Sequence, residues 1–539
     1  MWKLVSTLLM NWEIIVQAIL CSVVPYGVYK LGSWLKSALT IRSSGKPASE
    51  ERLYVFTGEF EKDLPELQDR LGHNDDILIR TFEIGGERTK AALILVKELA
   101  DKNYIDTHIL PLLMSEFAMP GCADELTPHI KNRILPVSEL GEAGNLRDLL
   151  PGLWKGNAGL LIDGCPNVFV LASGSEKKRS LGEPASEALV RGPRVSFNES
   201  LADNTALLRQ LGGSHTLCIV YTLVGRKAPR TVAIAYNSDI ANDALVQEVR
   251  KRIARIDMDD VPDSGYIEQF IEDNHLTLFP QVQNTERPDR VNSALMEGRV
   301  AILLDGSPFA LIVPVSVSML LQSPEDYYER WIPATLVRVL RYIAALISTL
   351  GPALYISFIS FHQGLIPTKL AVSIASSREG VPFPSLIEAL IMEVSIEILR
   401  EAGLRLPKPI GQTIGIVGGL VIGEAAVQAG IVSPIMVIVV AITAISSFAI
   451  PQYSAGIALR IIRFGTMFSA AIFGLYGVIL FFLLVCSHLA KLKSFGIPYL
   501  SPAAPYQLGD WKDFVLRAPL SFMTRRPKAM QVKQPKRRG

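Results

Sequence analysis

From residue 341 onward the chain contains four long windows from which charged residues almost vanish: Tyr342–Phe361, Ile410–Ala429, Val432–Ile450 and Phe464–Ala490. A bilayer core is crossed by roughly 20 mostly apolar residues in a helix, so each window predicts a membrane span. Phe464–Ala490 holds no Asp, Glu, Lys or Arg, and its small residues Ser469, Ala470, Ala471, Gly474 and Gly477 would let a neighbouring helix approach closely. Ile410–Ala429 is rich in glycine, as close-packed membrane helices are, and carries Glu424. A fifth segment, Pro384–Gly403, has a helical period but places Glu393, Glu397, Arg400 and Glu401 within about a third of the circumference; Glu388 falls on the opposite face. Such a helix lies along the interface, packs inside a bundle, or faces water within the membrane. Ionisable groups there are a functional signal, or else an ion-pair network tying helices together. Residues 4–29 are apolar but interrupted by Asn11, Glu13, Gln17 and Pro25. No small-residue cleavage site follows, which leaves an uncleaved anchor or an interfacial amphipathic helix.

The polar half that precedes these windows follows the strand period. Asp76–Val96 and Thr216–Tyr236 each read as strand, glycine-containing turn, strand. Asn157–Leu171 and Arg299–Val313 each hold a β-rich run, then Asp-Gly-x-Pro, then a second run. Asp-Gly supplies the positive-φ positions of a tight turn, so both predict hairpins. Helical patterns sit between the hairpins in both cases, over 106–114 and 241–256. The order hairpin, helices, hairpin thus occurs at 75–173 and again at 214–317, which predicts two similar subdomains joined near 185–211. The expected fold class is an α/β soluble N-terminal region of two similar subdomains plus an α-helical polytopic membrane domain. Its divisions are an apolar N-terminal segment and linker (1–50), subdomain 1 (51–184), a helical connector (185–213), subdomain 2 (214–325), a transmembrane helical domain (326–492) and a tail that is basic at its end (493–539).

Composition agrees. Hydrophobic residues make up 49% of the chain and the mean hydropathy is +0.29, high for a wholly soluble protein. The net charge of +2 is too small to argue for nucleic acid, and no basic run is interleaved with aromatics. Five scattered cysteines with no C-x-x-C pair point to a reducing compartment rather than a disulfide framework. Gly85–Lys90 superficially resembles a phosphate loop, but it lacks the required spacing and sits between two strands. The seven histidines show no metal-ligand spacing, and Ser175 lacks the G-x-S-x-G elbow. No catalytic set, cofactor or metal site is expected.

With the segments placed, longer motifs stand out: ILIRTFEIGG (77–86), EPASEALVRGPRVSFNESLADNTALLR (183–209), LLDGSPFALIVP (303–314), GPALYISFISFHQGLIPTKLAVSIASSREGVPFP (351–384), EILREAGLRLPKPIGQTIGIVGGLVIGEAAVQAG (397–430) and KSFGIPYLSPAAP (493–505). On these the chain resembles the A subunits of bacterial spore germination receptors over about 70–510. The resemblance implies a nutrient-triggered complex of the inner spore membrane, formed with a transporter-like B subunit and a lipoprotein C subunit. It also implies homo-oligomers acting as a ligand-gated ion channel, with the soluble region cytosolic. The stretch at 4–29 and the Lys/Arg-rich end depart from that pattern. If Pro384–Gly403 crosses, the loops bearing Arg405, Lys408, Arg460 and Arg463 fall on the side of the soluble region, as positive-inside requires, but the basic tail falls on the other. If it does not cross, the reverse holds.

Two groups of residues follow as candidates. In a ring of subunits one acidic residue per copy becomes a ring of carboxylates that favours cations; Glu393 and Glu397 qualify, with Arg400 one turn on to neutralise one of them. In the connector, Arg191, Arg194 and Asn198 are placed to bind an anion or partner in a cleft between subdomains, or to form salt bridges between them. The competing functions are a transporter, and an anchored sensor or scaffold whose soluble region binds a small ligand.

Overall fold

The computed structural model describes residues 54–85, 89–115, 140–174, 182–184, 186–212, 214–406, 419 and 422–537. The stretch 4–29 and half of Ile410–Ala429 lie outside them. The polar half forms two five-stranded antiparallel sheets. The first comprises β1 (Ile77–Ile84), β2 (Thr89–Val96), β3 (Leu140–Ala143), β4 (Ala158–Ile162) and β5 (Val168–Leu171), in the order β1-β2-β4-β5-β3. The second comprises β6 (Leu217–Val224), β7 (Arg230–Asn237), β8 (Gln283–Thr285), β9 (Val300–Leu304) and β10 (Ala310–Val313), in the order β6-β7-β9-β10-β8. The two orders are the same. Central strands β4 and β9 are buried at every residue, because helices cover both faces of each sheet; they therefore read as unbroken apolar runs. Helices α1 (Phe60–Leu71) and α2 (Leu146–Trp154) pack on one face of the first sheet, and the helical turns over 102–113 on the other. In the second, α3 (Leu201–Gly212) and α6 (Pro288–Leu295) cover one face, α4 (Asp243–Ala254) and α5 (Ser264–Ile271) the other.

The recurring Asp-Gly-x-Pro motif has a second task besides its turn. Asp163 Oδ1 accepts from the backbone N–H of Phe60 at 3.1 Å, at the start of α1. Asp305 Oδ1 accepts from that of Leu201 at 3.2 Å, at the start of α3. Each aspartate thus satisfies an orphan donor at the first helix of its own subdomain. This pairing moves a boundary. Among the described residues of the expected connector only Leu201–Gly212 are helical, and they form the opening element of subdomain 2, equivalent to α1.

The outer edge of β6 is covered by subdomain 1. Asp75 N donates to Ile219 O at 3.1 Å, while Ile219 N donates to Asn74 Oδ1 at 3.2 Å and Tyr221 N to Asp75 Oδ2 at 2.8 Å. An edge that would otherwise invite strand addition is closed.

The apolar half contains α7 (Trp331–Ser360), α8 (Thr368–Arg378), α9 (Ser385–Arg405), α10 (Pro434–Phe448) and α11 (Tyr453–Lys491). Of the described helices, α7 and α11 are long and apolar enough to cross a membrane. The run of α11 is broken at Gly474, with φ 60° and ψ −143°. In a straight helix Gly465 and Phe481 would lie about 24 Å apart. Instead a Cβ at Gly465 would collide with the Phe481 ring, and one at Gly477 with the Ser469 carbonyl. The chain therefore doubles back, and Phe464–Ala490, expected as one span, is most of a helical hairpin. Its bend sits against Phe361 and His362 at the far end of α7, 2.9 Å from a Cβ built on Gly474. Replacing Gly474 with alanine should cost about 1–3 kcal/mol for the strained backbone alone, beyond that steric conflict, and lower the melting temperature of the purified protein.

Both feet of the hairpin rest on subdomain 2. Gln452 Nε2 donates to Asn284 Oδ1 at 2.6 Å, and His488 Nε2 lies 2.9 Å from Thr277 Oγ1. The following segment is not a free basic tail but a strap on subdomain 2. Phe495 and Met530 enter its core, Arg526 Nε donates to Met296 O at 2.7 Å, and Lys533 and Arg537 pair with Asp243 and Glu297, each at 2.7 Å.

Candidate functional site

The acidic stripe of α9 points into the helical layer. Glu393 is fully buried against Arg463 of α11, and Arg463 Nε donates to Ser348 O of α7 at 2.5 Å. Glu397 lies 3.2 Å from Arg400 and 3.8 Å from Arg460, and Arg400 also donates to Ser447 of α10 at 2.9 Å. Glu388, on its own face, is buried 2.7 Å from Arg378 and accepts from Ser433 N at 3.0 Å. One helix is thus joined by ionic or charge-assisted bonds to α8, α10 and α11. Ser385 meets Ser360 at 2.7 Å at the far end, and Arg400 meets the C-terminal end of α10, so α9 runs through the depth of the layer.

The connector residues do not converge. Arg191 lies 3.5 Å from Glu329 and Arg194 3.2 Å from Glu183, all four exposed. Asn198 is consumed locally, donating from Nδ2 to Asp203 Oδ2 at 3.0 Å and accepting from Ser200 N at 2.9 Å. Besides the edge bonds of β6, the subdomains are joined by Arg209, paired with Asp76, a residue that carries no local signal in the sequence.

The concave site lies elsewhere, where subdomain 2 meets the first helix and the strap. On α7, Arg338 and Arg341 turn inward to Asp326, at 3.1 and 2.7 Å, and Arg338 also reaches Asp513 of the strap at 2.8 Å. Tyr327 OH donates to the same Asp513 at 2.8 Å. Burial pushes the Asp513 carboxyl upward and Tyr327 well above the usual phenol range. Beside this knot opens a cavity of about 440 Å³. Gln283, Arg290 and Glu297 of subdomain 2 line it, with Met319, Tyr327 and Tyr328 of the junction and Arg526 and Arg537 of the strap. Most of its charges are spent: Arg290 on Glu187 at 2.9 Å and Arg537 on Glu297 at 2.7 Å. Gln283 is 1% exposed and its Oε1 has no partner, an acceptor that a ligand donor would satisfy.

On α5, burial and the neighbouring Glu272 push the Glu268 carboxyl up to about 7. A carboxylate raised from its ordinary 4.5 stabilises the fold in its protonated form. That contribution is complete below the ordinary value and is lost as pH rises through about 7. Unfolding measured across this window should show the loss in the native chain and its absence in Glu268→Gln.

Comparison with known proteins decides what carries this arrangement. A family model described as the Bacillus/Clostridium GerA spore germination protein matches residues 65–529. The chain belongs to the GerA family. Spore germination protein B1 of Bacillus subtilis (strain 168) is 46% identical over 471 residues, covering 87% of this chain and 96% of that protein. Spore germination protein A1 of the same organism is 45% identical over 451 residues, covering 84% and 92%. The crystal structure of the N-terminal domain of the A subunit of the Bacillus megaterium spore germinant receptor GerK3 is 31% identical, covering 49% of this chain and 97% of that one, with a TM-score of 0.38. GerA-family subunits are receptor components and not enzymes. The GerA match takes in most of subdomain 1, all of subdomain 2, the helical layer and most of the strap, so the named cavity residues other than Arg537 lie in the family region. Its lining comes from three stretches that no local motif links, which is why the sequence alone did not disclose it.

Proposed function

We propose that the chain is the membrane-embedded A subunit of a nutrient-responsive germination receptor, and that its soluble region binds a small polar ligand in the 440 Å³ cavity and passes the event to the helices. One observation carries this reading. The cavity is walled at once by subdomain 2, by the junction that enters α7, and by the strap that follows α11, so an occupant touches both covalent routes into the helical layer. The family resemblance supports a multi-pass placement in the inner spore membrane, the soluble region on the cytosolic side, and assembly with a transporter-like B subunit and a lipoprotein C subunit. The test is to fill the cavity. Met319→Trp should abolish or strongly right-shift the nutrient dose–response of spores while leaving the subunit at normal abundance in the membrane. Gln283→Leu should weaken the response in the same direction. An unchanged dose–response in Met319→Trp spores would remove the cavity from the pathway.

A second reading is a closed ring of identical copies around an ion path, since one copy with few spans offers little room for one. What favours it is the exposure of Glu424 and the partial exposure of Glu397 within the apolar half of the chain. A carboxylate facing lipid is costly, so these positions call for a neighbouring copy or water. Crosslinking in native membranes should then give a ladder of homo-oligomers, whereas a strictly monomeric subunit within the complex would exclude the ring.

A further inference from the structure

The strap carries a row of side chains that the fold of a water-soluble segment does not explain. Tyr506, Leu508, Trp511, Leu516 and Leu520 are between 38% and 70% exposed. They are held in place from beneath. Arg338 binds Asp513 at 2.8 Å, Thr335 Oγ1 donates to Arg517 O at 3.1 Å, and the rings of Tyr342 and Phe514 meet edge-on at 5.8 Å. The row therefore lies alongside residues 335–342 of α7.

That level has a physical meaning. Thirty residues make α7 about 45 Å long, whereas the hydrocarbon core takes about 30 Å, or roughly 20 residues. Counted back from Ser360, those residues end near Arg341, so 335–342 straddles the boundary between acyl chains and headgroups. On its outer side α7 presents Ile332, Leu336 and Leu340, all exposed, so exposed apolar side chains stand on both α7 and the strap at this level. A second, unrelated segment reaches a comparable level. Leu276 is 95% and Leu278 49% exposed, on either side of the Thr277 that touches His488, one turn before the end of α11. Exposed Lys491, Lys493 and Lys512 flank these positions, as cations do where helices leave a membrane.

We infer that the strap residues 506–520 and the loop at 276–278 form a membrane-interface footing, with Leu508, Trp511, Leu516 and Leu276 seated at the acyl–headgroup boundary of a lipid bilayer. The footing rests on the reading that the helical layer spans a membrane. Its occupant is lipid rather than a protein partner, because the row stands at the level of the exposed apolar flank of α7 and carries the aromatic and lysine composition of an interfacial belt. It would fix the height of the soluble region above the bilayer and hold the cavity wall, which the strap also supplies, at the membrane surface.

The test is site-specific photocrosslinking of the full chain in native membranes. A benzophenone residue replaces Leu508, Leu516 or Leu276 in turn, with Ile472, 65% exposed on the hairpin, and Val190, 90% exposed in the soluble region, as references. Lipid adducts at Leu508, Leu516 and Leu276 matching those at Ile472, and lost at Val190, are expected. Adducts to another polypeptide at those three positions, or no lipid adduct there, with Ile472 still labelled by lipid, would overturn the footing alone. Absence of lipid label at Ile472 would overturn the spanning reading and the footing with it.

Discussion

Replacing Arg209 with alanine is expected to cost the chain about 3–5 kcal/mol, the scale for breaking one partner of a buried ion pair. The guanidinium is 1% exposed and grips Asp76 of subdomain 1 through two bonds of 2.6 and 2.8 Å. It also donates to Leu217 O at 2.5 Å and Asn74 Oδ1 at 2.7 Å, and stacks 5.1 Å from the centre of the Trp154 ring. Four of the five donor hydrogens of the fork are used on groups that have lost their water. Truncation strands Asp76, itself 2% exposed, as an unpaired buried charge. Lysine should not rescue, because a point charge cannot reproduce the bidentate grip and the stack together. Changing Arg209→Met and Asp76→Leu jointly should recover most of the loss, since no charge is then left stranded. Urea unfolding of the purified protein checks this. A shift below about 1 kcal/mol, the worth of a surface pair, would mean the subdomains are held by their edge bonds alone.

The second large effect lies within the helical layer. Glu393→Gln should deplete the subunit from membranes, because Arg463, 1% exposed, is then left without its counter-charge among α7, α9 and α11. The expected cost is again about 3–5 kcal/mol, and Arg463→Ala should do the same. The informative variant is the paired replacement Glu393→Leu with Arg463→Met, which removes both charges and keeps the volume. Restored abundance together with restored nutrient-triggered cation release would make the pair a staple. Restored abundance with release still lost would put the charges themselves in the ion path.

How much of this was legible in the sequence depended on whether the signal was local. The two sheets were visible because Asp163-Gly164 and Asp305-Gly306 announce their hairpins and the flanking runs are β-rich. Helix capping by those aspartates was not, since it joins residues about a hundred positions apart. The charges of α9 were placed correctly on their faces by helical period, but their partners Arg460, Arg463 and Arg378 lie on other helices, and period says nothing about those. The hairpin was missed because hydropathy counts apolar residues and is blind to direction. Gly474 looked like one more small contact residue, when its positive φ is what allows the reversal. The strap was taken for a tail because its cations were counted without the carboxylates and carbonyls of subdomain 2 that receive them.

Subdomain 2 is joined covalently to the helical layer at two places, the junction that leads into α7 and the segment that leaves α11. A body on one tether can turn about any axis through it. A body pinned at two points keeps only the rotation about the line between them, and a helical layer entered and left on the same face supplies both pins. A change of shape around the cavity would therefore reach the first and last helices as torque about a fixed axle, with α8, α9 and α10 turned only through their packing and ion pairs.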